Sequence, residues 1–274
     1  MAIFKGRWIL ELFAIIIAIL FLIPFYFVFI NSVKSFADIL INGASWPKEF
    51  LWSNYVKVWE RIDYPKAFWN SLIVTVFSVA GMTLISAMAA YRLARRPTLF
   101  SKLVFTLFVA AMVIPFQSIM IPLVQVANGL NIMNSHLGLI FIYWGLGVPL
   151  CVFLFQGFIK TIPLELEEAA VMDGCSPYGV FWRVVFPLLK PMTVTVIILQ
   201  SLWVWNDFLL PSLILQNIEL RTIPLANFTF FTEYSKQWDM GLASLVMSIT
   251  PIIIFFLILQ KHVIEGVTAG SVKG

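Results

Sequence analysis

The chain has 274 residues, of which 61% are hydrophobic, 16% are aromatic and 12% are charged. Soluble domains carry about 25% charged residues, so this composition, with a mean hydropathy of +0.93, excludes an ordinary soluble protein and indicates an integral membrane protein. The net charge of +4 is modest, and in a membrane protein it bears on orientation and gives no indication of nucleic-acid binding.

Six apolar segments along the chain are long enough to cross a lipid bilayer as helices. The first follows a short basic N-terminus; a signal peptide is the alternative interpretation, but no small-residue cleavage site follows Pro24. The predicted spans are residues 9–30, 68–91, 102–127, 137–159, 192–216 and 241–260. We therefore expect an all-α integral membrane protein in which residues 1–274 form a single transmembrane domain.

The basic residues between these spans indicate how the chain is oriented. With a cytoplasmic N-terminus, eleven of the eighteen Lys and Arg residues lie on the cytoplasmic side, and the other seven share the external loops with seven acids. This distribution follows the positive-inside rule, so both termini are expected in the cytoplasm. External loops are then expected at residues 31–67, 128–135 and 217–239.

Residues 161–191 form a polar island between two apolar segments, on the predicted cytoplasmic side. The island contains four acids: Glu165, Glu167, Glu168 and Asp173. The early turns of a helix favour negative charge, and small alanines let another surface approach closely. The residues that share one face at helical spacing are Leu166, Ala169, Ala170 and Asp173. The pattern predicts a docking helix; an amphipathic helix lying on the membrane surface is the alternative.

Capping and turn residues divide this island into two short helices. Thr161 or Ile162 is expected to cap the first helix, and Gly174 is expected to end it in the left-handed conformation. The pair Ser176-Pro177 is typical of a new helix start, and Pro187 is expected to interrupt that second helix.

The sequence offers no catalytic or metal-binding constellation. It contains no Gly-Lys pair and so no P-loop, which is the motif that binds ATP phosphates in many ATPases. Its cysteines, Cys151 and Cys175, have neither a disulfide-framework nor a metal-site spacing. We therefore predict no catalytic residue, no metal and no bound cofactor in this chain.

Polar residues inside the spans are the candidates for a substrate path. Asp207 is an acid within the fifth span, and it either lines a cavity or hydrogen-bonds a neighbouring helix. Aromatic rings, amides and carboxylates suit sugars, because a pyranose ring presents both C–H faces and hydroxyls. The candidate path residues are Gln117, Gln200, Trp203, Asn206 and Asp207. Packing or interfacial anchoring is the alternative role for each.

The polar island also resembles a known motif. Its matching residues are Glu168-Ala169-Ala170, Asp173-Gly174, Phe181, Pro187-Leu188 and Pro191. They have the spacing of the Glu-Ala-Ala…Gly loop of ABC-importer permeases. In that family the loop is the coupling helix, which sits in a cleft of the cytoplasmic ATP-hydrolysing subunit. The ATPase-coupling residues that this resemblance implies are Glu165, Glu168, Ala169, Ala170, Met172, Asp173 and Gly174.

Other segments are similar to the smaller permease subunit of carbohydrate importers, of the maltose-permease-G type. They are Asn70-Ser71, Trp205-Asn206-Asp207-Phe208 with Pro211, and the ending 266–274. The resemblance covers essentially the whole chain. It implies six transmembrane helices in the type I ABC-importer fold and a place in the bacterial plasma membrane, surrounded by lipid.

This resemblance also implies a function and a set of partners. The chain is expected to form a sugar path with a second permease, as a heterodimer. Two ATP-binding subunits would use ATP and Mg, and an extracytoplasmic sugar-binding protein would deliver the substrate. The alternatives are a permease for another neutral solute, a non-transporting membrane adaptor, and an ion-coupled secondary transporter, for which Asp207 is the candidate coupling residue.

Overall fold

The computed structural model describes the backbone of residues 2–232 and 235–271, and the side chains of 8–231 and 237–260. The regular secondary structure of the described residues is helical, apart from a short antiparallel hairpin of β1 (Phe231–Thr232) and β2 (Ser235–Lys236). The side chains of the ending 266–274, which carries part of the sequence resemblance, lie outside the described residues.

The helices follow one another with short connections. In chain order they are α1 (Ala2–Ser32), α2 (Phe36–Asn42), α3 (Ser53–Arg61), α4 (Tyr64–Arg95), α5 (Leu99–Val113), α6 (Phe116–Gly129), α7 (His136–Ile159), α8 (Glu165–Met172), α9 (Pro177–Val180), α10 (Phe186–Leu188), α11 (Lys190–Asn206), α12 (Leu209–Ile214), α13 (Ile223–Asn227) and α14 (Trp238–Ser271). A π-helical segment, Phe181–Val185, joins α9 to α10, and single 3₁₀ turns lie at Ile218–Leu220 and Phe228–Phe230. The last helix continues through residues where the sequence predicted a polar tail.

Four of these helices are long and apolar enough to cross a bilayer: Trp8–Ser32 in α1, all of α4, all of α7, and Trp238–Gln260 in α14. Two bent pairs raise the number to six if each pair is one span. In one pair α5 and α6 meet at 107°, and in the other Pro177–Leu188 meets α11 at 73°. By length and composition the described helices therefore provide four to six spans, and the count of six includes the two bent pairs.

Two of the predicted spans are interrupted within their predicted bounds. The predicted third span, 102–127, is not one helix, because Pro115 has no N–H and disfavours helical geometry at Ile114, whose ψ is 119°. The predicted fifth span, 192–216, is also divided. There α11 ends at Asn206 and Asp207 is extended, with a ψ of 127°, before α12 begins.

The described chain forms two compact units, one within Met1–Pro65 and Ala226–Pro251 and the other within Lys66–Leu225 and Ile252–Gly274. The prediction that the whole chain acts as one domain stays a prediction. In the larger unit α7 is central, since it contacts α5, α11 and α12. Glycines let α4 approach α7 closely: a Cβ added to Gly147 would lie 2.0 Å from the Met82 sulfur.

The smaller unit is fixed by polar contacts just after α1. Lys34 is fully buried, and its ammonium donates to the carbonyls of Asn42, at 2.9 Å, and Ser45, at 2.6 Å. The amide of Asn54 in α3 donates to the carbonyl oxygens of Ser32, at 3.0 Å, and Lys34, at 2.9 Å. These bonds hold α2 and α3 against the end of α1. The predicted external loop 31–67 thus contains two short helices that are held by buried hydrogen bonds.

Candidate functional site

The short helix α8 begins without a side-chain cap. Its N-cap residue is Leu164, whose carbonyl accepts the amide of Glu167 at 2.9 Å. The hydroxyl of Thr161 instead donates to the carbonyl of Phe158 at 2.8 Å, and so still belongs to the end of α7. The prediction that Thr161 or Ile162 caps α8 is therefore wrong, because both residues continue the preceding turn.

The end of α8 is a Schellman turn, the left-handed helix ending that glycine favours. Gly174 has a φ of +83°, and its amide donates to the carbonyl of Val171 at 2.9 Å. The amide of Cys175 donates to the carbonyl of Ala170 at 3.0 Å. The hydroxyl of Ser176 then caps α9. The predicted stop at Gly174 and restart at Ser176 are therefore confirmed.

Most of the residues that the sequence assigned to ATPase coupling lie on the open surface of α8 and its C-terminal turn. The exposed ones are Glu165, Glu168, Ala169, Met172, Asp173 and Gly174. Ala170 is half-buried and packs against the core of the larger unit. Met172 is 87% exposed, and it lies outside the helices that are long and apolar enough to span a membrane. The surface therefore combines negative charge with an exposed apolar side chain.

The opposite face of α8 is held to the end of α4 by a buried ion pair. The carboxylate of Glu167 accepts from Arg95 Nε at 2.7 Å and from the Tyr91 hydroxyl at 2.8 Å. Arg95 Nη2 also donates to the carbonyl of Ile162 at 2.9 Å. The side chains of Arg95 and Glu167 are only 17% and 8% exposed. We call this cluster the Tyr91–Arg95–Glu167 joint.

The joint was not among the predicted site residues. The sequence analysis counted Glu167 as one acid of the island and Arg95 as one of the basic residues, and it paired neither. A signal was present, because Glu167 and Ala170 are three residues apart and so lie on one face of α8. A buried acid on that face requires a hydrogen-bond or charge partner, but no local pattern identifies Arg95 as that partner.

A groove of about 540 Å³ lies beside the joint. The joint residues Tyr91 and Glu167 line it together with the apolar side chains of Leu164, Val171 and Met172. The Tyr91 ring also contacts the ring of Phe181, with 5.4 Å between centroids. Tyr91 therefore connects α4 both to α8 and to the π-helical segment that follows it.

The π-helical segment is explained by proline. The amide of Phe186 donates to the carbonyl of Phe181, five residues earlier. Pro187 has no N–H, so the regular bond to the carbonyl four residues earlier cannot form. The predicted interruption by Pro187 is thus present as a change of helix type, and the sharp bend follows at Leu189, before α11.

A second candidate site is a cavity of about 270 Å³ bordered by both helix breaks. Ile114 and Phe116 line it at the break between α5 and α6, and Trp203, Asp207 and Leu209 line it at the break between α11 and α12. Broken helices often form solute sites in transporters, because their free backbone ends face a cavity. The arrangement therefore marks a place where a solute could be bound.

Asp207 takes both of the roles that the sequence left open. It borders this cavity, and its Oδ2 accepts from the Tyr143 hydroxyl of α7 at 2.9 Å. Its Oδ1 accepts the amide of Leu209 at 2.9 Å, which caps α12. The Trp203 ring stands edge-on to the Tyr143 ring, with 5.4 Å between centroids. An aromatic ring and a carboxylate therefore meet at the cavity wall.

The other predicted path residues do not line this cavity. Gln117 and Asn206 are exposed, and the Asn206 amide donates to the carbonyl of Leu202 at 2.7 Å. Gln200 is buried, and within the described residues its side-chain oxygen has no hydrogen-bond partner. The structure thus brings Trp203 and Asp207 together, and the three amides lie elsewhere.

Neither site gathers metal ligands. Within the described part of the chain, no three His, Cys, Asp or Glu side chains are grouped so that they could hold a metal ion. The side chains that line the two sites carry carboxylates, aromatic rings and aliphatic groups, which bind through hydrogen bonds, charge and apolar contact.

Known proteins resemble this chain over nearly its full length. The family model described as "Binding-protein-dependent transport system inner membrane component" matches residues 81–268. The probable starch degradation products transport system permease protein AmyC of Thermoanaerobacterium thermosulfurigenes is 40% identical over 267 residues, 97% of each chain. The melibiose/raffinose/stachyose import permease protein MelC of Bacillus subtilis is 37% identical over 273 residues, 98% of each chain.

A further relative and a solved structure agree with these matches. The multiple sugar-binding transport system permease protein MsmG of Streptococcus mutans is 36% identical over 260 residues, 93% of each chain. The crystal structure of a bacterial ABC transporter involved in the import of the acidic polysaccharide alginate has a chain that superposes with a TM-score of 0.80 at 23% identity, covering 94% of this chain and 96% of that one. The predicted all-α importer-permease fold is thereby confirmed. The chain belongs to the inner-membrane components of binding-protein-dependent transport systems and is a permease of the ABC-importer class.

Proposed function

We propose that this permease forms, with a second related permease, the path by which an ABC importer carries a sugar or oligosaccharide across the plasma membrane. The relatives named for starch degradation products and for melibiose, raffinose and stachyose support a carbohydrate substrate, since each aligns with more than nine tenths of this chain. Trp203 beside the Asp207 carboxylate supports it as well, because this pairing suits the C–H faces and hydroxyls of a sugar ring.

The exposed surface of α8 is the observation that supports a role for this chain in energy coupling. We propose that an ATP-hydrolysing subunit docks there, with ATP and Mg bound in that partner. The exposed apolar side chains of Leu164, Val171 and Met172 line one groove next to acids, and such a patch is typical of a protein contact. The alternative is a helix resting on lipid. The acids Glu165, Glu168 and Asp173 disfavour it, because the cytoplasmic leaflet is negatively charged.

This assignment requires α8 in the cytoplasm and the loops 31–67 and 217–239 outside. The basic residues at the end of α4 support that orientation, which puts both termini in the cytoplasm. Because the family depends on a binding protein, we propose that such a protein delivers the sugar to these external loops. The ordered bonds of Lys34 and Asn54 would give that protein a fixed surface to contact.

The first experiment is purification of the chain from solubilised native membranes, with identification of the proteins that accompany it. We expect a second permease and an ATP-hydrolysing subunit. Reconstituted with the binding protein, the complex should import labelled maltotriose or raffinose only with ATP, while labelled arginine serves as a charged non-sugar comparison. Uptake that survives ATP depletion and follows the membrane potential would replace this proposal with ion-coupled transport.

A matched pair of variants tests the docking surface. Glu168→Lys reverses a charge on α8 and should lower import without loss of the protein from the membrane. Leu99→Lys introduces the same charge at a side chain that is also exposed but belongs to α5, and it should leave import unchanged. Equal import by both variants would remove α8 from the coupling interface.

A further inference from the structure

The Tyr91–Arg95–Glu167 joint connects two helices that the chain order separates widely. Arg95 is the last residue of α4, and Glu167 lies in the first turn of α8. Glu167 is the buried acid of α8, whereas Glu165, Glu168 and Asp173 are exposed. The joint therefore uses the buried acid of α8 and leaves the exposed acids available for docking.

The strength of the joint comes from its burial and its number of bonds. The Glu167 carboxylate accepts from two donors of α4, and Arg95 makes a third bond to the carbonyl of Ile162. Hydrogen bonds between charged partners are shorter and stronger than neutral ones, and a buried pair is little screened by salt. Besides its contacts with α9 and the π-helical segment, α8 is therefore linked to α4 by charged hydrogen bonds.

At its other end α4 is fixed to a segment far from α8. The amide of Asn70 donates to the carbonyls of Glu219, at 2.9 Å, and Arg221, at 3.0 Å. The hydroxyl of Ser71 accepts the amide of Ile223 at 2.8 Å. These bonds and the joint lie on one unbroken helix, since α4 has 32 residues and is about 48 Å long over its whole length. It therefore runs from the α8 end of the larger unit to the predicted external segment 219–223.

We propose that the Tyr91–Arg95–Glu167 joint makes α8 and α4 move as one rigid body, so that Glu167 and Arg95 are positioning residues for energy coupling. A displacement of α8 is then transmitted along α4 to the segment that Asn70 and Ser71 hold. The inference rests on the proposed docking of an ATP-hydrolysing subunit to α8. It adds that docking and coupling are separable, because the ion pair of the joint is largely buried, whereas the acids proposed for docking are exposed.

The prediction concerns the amount of sugar imported per ATP hydrolysed. Glu167→Gln keeps the size of the side chain and removes the ion pair, so α8 should remain docked but move independently of α4. We expect this ratio to fall about tenfold, a typical size for coupling between two sites. Tyr91→Phe removes a single neutral hydrogen bond and should lower the ratio about threefold.

The test uses the complete transporter, purified with its ATP-hydrolysing subunits and reconstituted in liposomes with its binding protein. Import of labelled maltotriose or raffinose, whichever the wild type carries, is measured together with ATP hydrolysis. The control is Arg96→Gln, which removes the same positive charge one residue after the joint, at an exposed side chain. The exchange Arg95→Glu with Glu167→Arg restores an ion pair and should recover part of the ratio.

The possible results separate this inference from the proposed function. A wild-type preparation with no ATP-hydrolysing subunit overturns the proposed function itself. A normal import-to-ATP ratio in Glu167→Gln overturns the joint, as does loss of the ATP-hydrolysing subunit from that variant, since Glu167 would then act in docking. A lowered ratio with the subunit retained, recovered by the charge exchange and unaffected by Arg96→Gln, supports it.

Discussion

The Asp207 carboxylate accepts a hydrogen bond from the Tyr143 hydroxyl at 2.9 Å, which joins the break after α11 to the centre of α7. Tyr143 has no exposed surface, so its hydroxyl has no access to water as a replacement partner. The same carboxylate caps α12 through the amide of Leu209. One side chain thus fixes the geometry of the break and supplies charge to the cavity wall.

The first prediction concerns the stability of this break. Asp207→Ala removes the cap of α12, which costs about 1 kcal/mol, and leaves the buried Tyr143 hydroxyl unpaired, which costs about 1–3 kcal/mol more. Tyr143→Phe should cost less, because Asp207 keeps its bond to the Leu209 amide. Thermal unfolding of the purified protein in detergent measures both, and an Asp207→Ala variant as stable as the wild type would contradict the capping role.

The second prediction separates charge from structure at the same residue. Asp207→Asn retains an oxygen for the Leu209 amide, and its NH2 group can donate to the Tyr143 hydroxyl oxygen, so it should cost less stability than Asp207→Ala. If the carboxylate holds sugar hydroxyls, import should still fall about tenfold, since a hydrogen bond to a charged group contributes about 1–1.5 kcal/mol more than one to a neutral group. Import measured in liposomes at matched protein levels decides this. Unchanged import would make Asp207 a purely structural residue.

The third prediction compares two tryptophans of α11. Trp203 is 39% exposed and lines the cavity, whereas Trp205 is 5% exposed and packs edge-on against Phe68, with 5.9 Å between ring centroids. Trp203→Ala should raise the sugar concentration needed for half-maximal import and change the melting temperature little. Trp205→Ala should instead lower stability by about 3–5 kcal/mol. The reverse pattern would move the path away from this cavity.

These sites were only partly predictable from the sequence. Local signals sufficed where one residue determines the backbone, as Gly174 does for the end of α8. They also sufficed for the spans as a class, because bilayer thickness sets the length of an apolar helix. The sequence analysis did not predict the break after Ile114, because the apolar composition continues through the bend. Pro115 was the local signal for this break.

Contacts between distant segments were not predictable in this way. The partners of Glu167 lie 72 and 76 residues earlier in the chain, and no local pattern encodes such a pairing. For Asp207 the sequence narrowed the choice to two roles, yet only the position of Tyr143, 64 residues away, reveals that both apply. Gln200 was selected as a path residue by its chemistry alone, and in the structure it is buried away from the cavity.

The fourth prediction tests the close packing of α4 on α7. Gly147→Ala would bring a methyl group to 2.0 Å from the Met82 sulfur, so it should destabilise the protein by about 1–3 kcal/mol. Gly145→Ala is the matched control on the same helix, because nothing lies within 4 Å of its added Cβ. If the two residues clash, the losses caused by Gly147→Ala and Met82→Ala in thermal unfolding should be less than additive in the double variant. An equal effect of both single substitutions would exclude a packing cause.

The last prediction concerns the left-handed turn that ends α8. Gly174→Ala places a Cβ in a conformation with a φ of +83°, which costs about 1–2 kcal/mol, although no neighbour obstructs the methyl group. Gly174→Asn should be milder, because asparagine adopts this conformation more readily. The strain falls on the docking surface, where it would shift Met172 and Asp173. Import should therefore decrease in the order wild type, Asn, Ala, with membrane insertion unchanged. A reversed order would mean that the backbone conformation at Gly174 does not determine coupling.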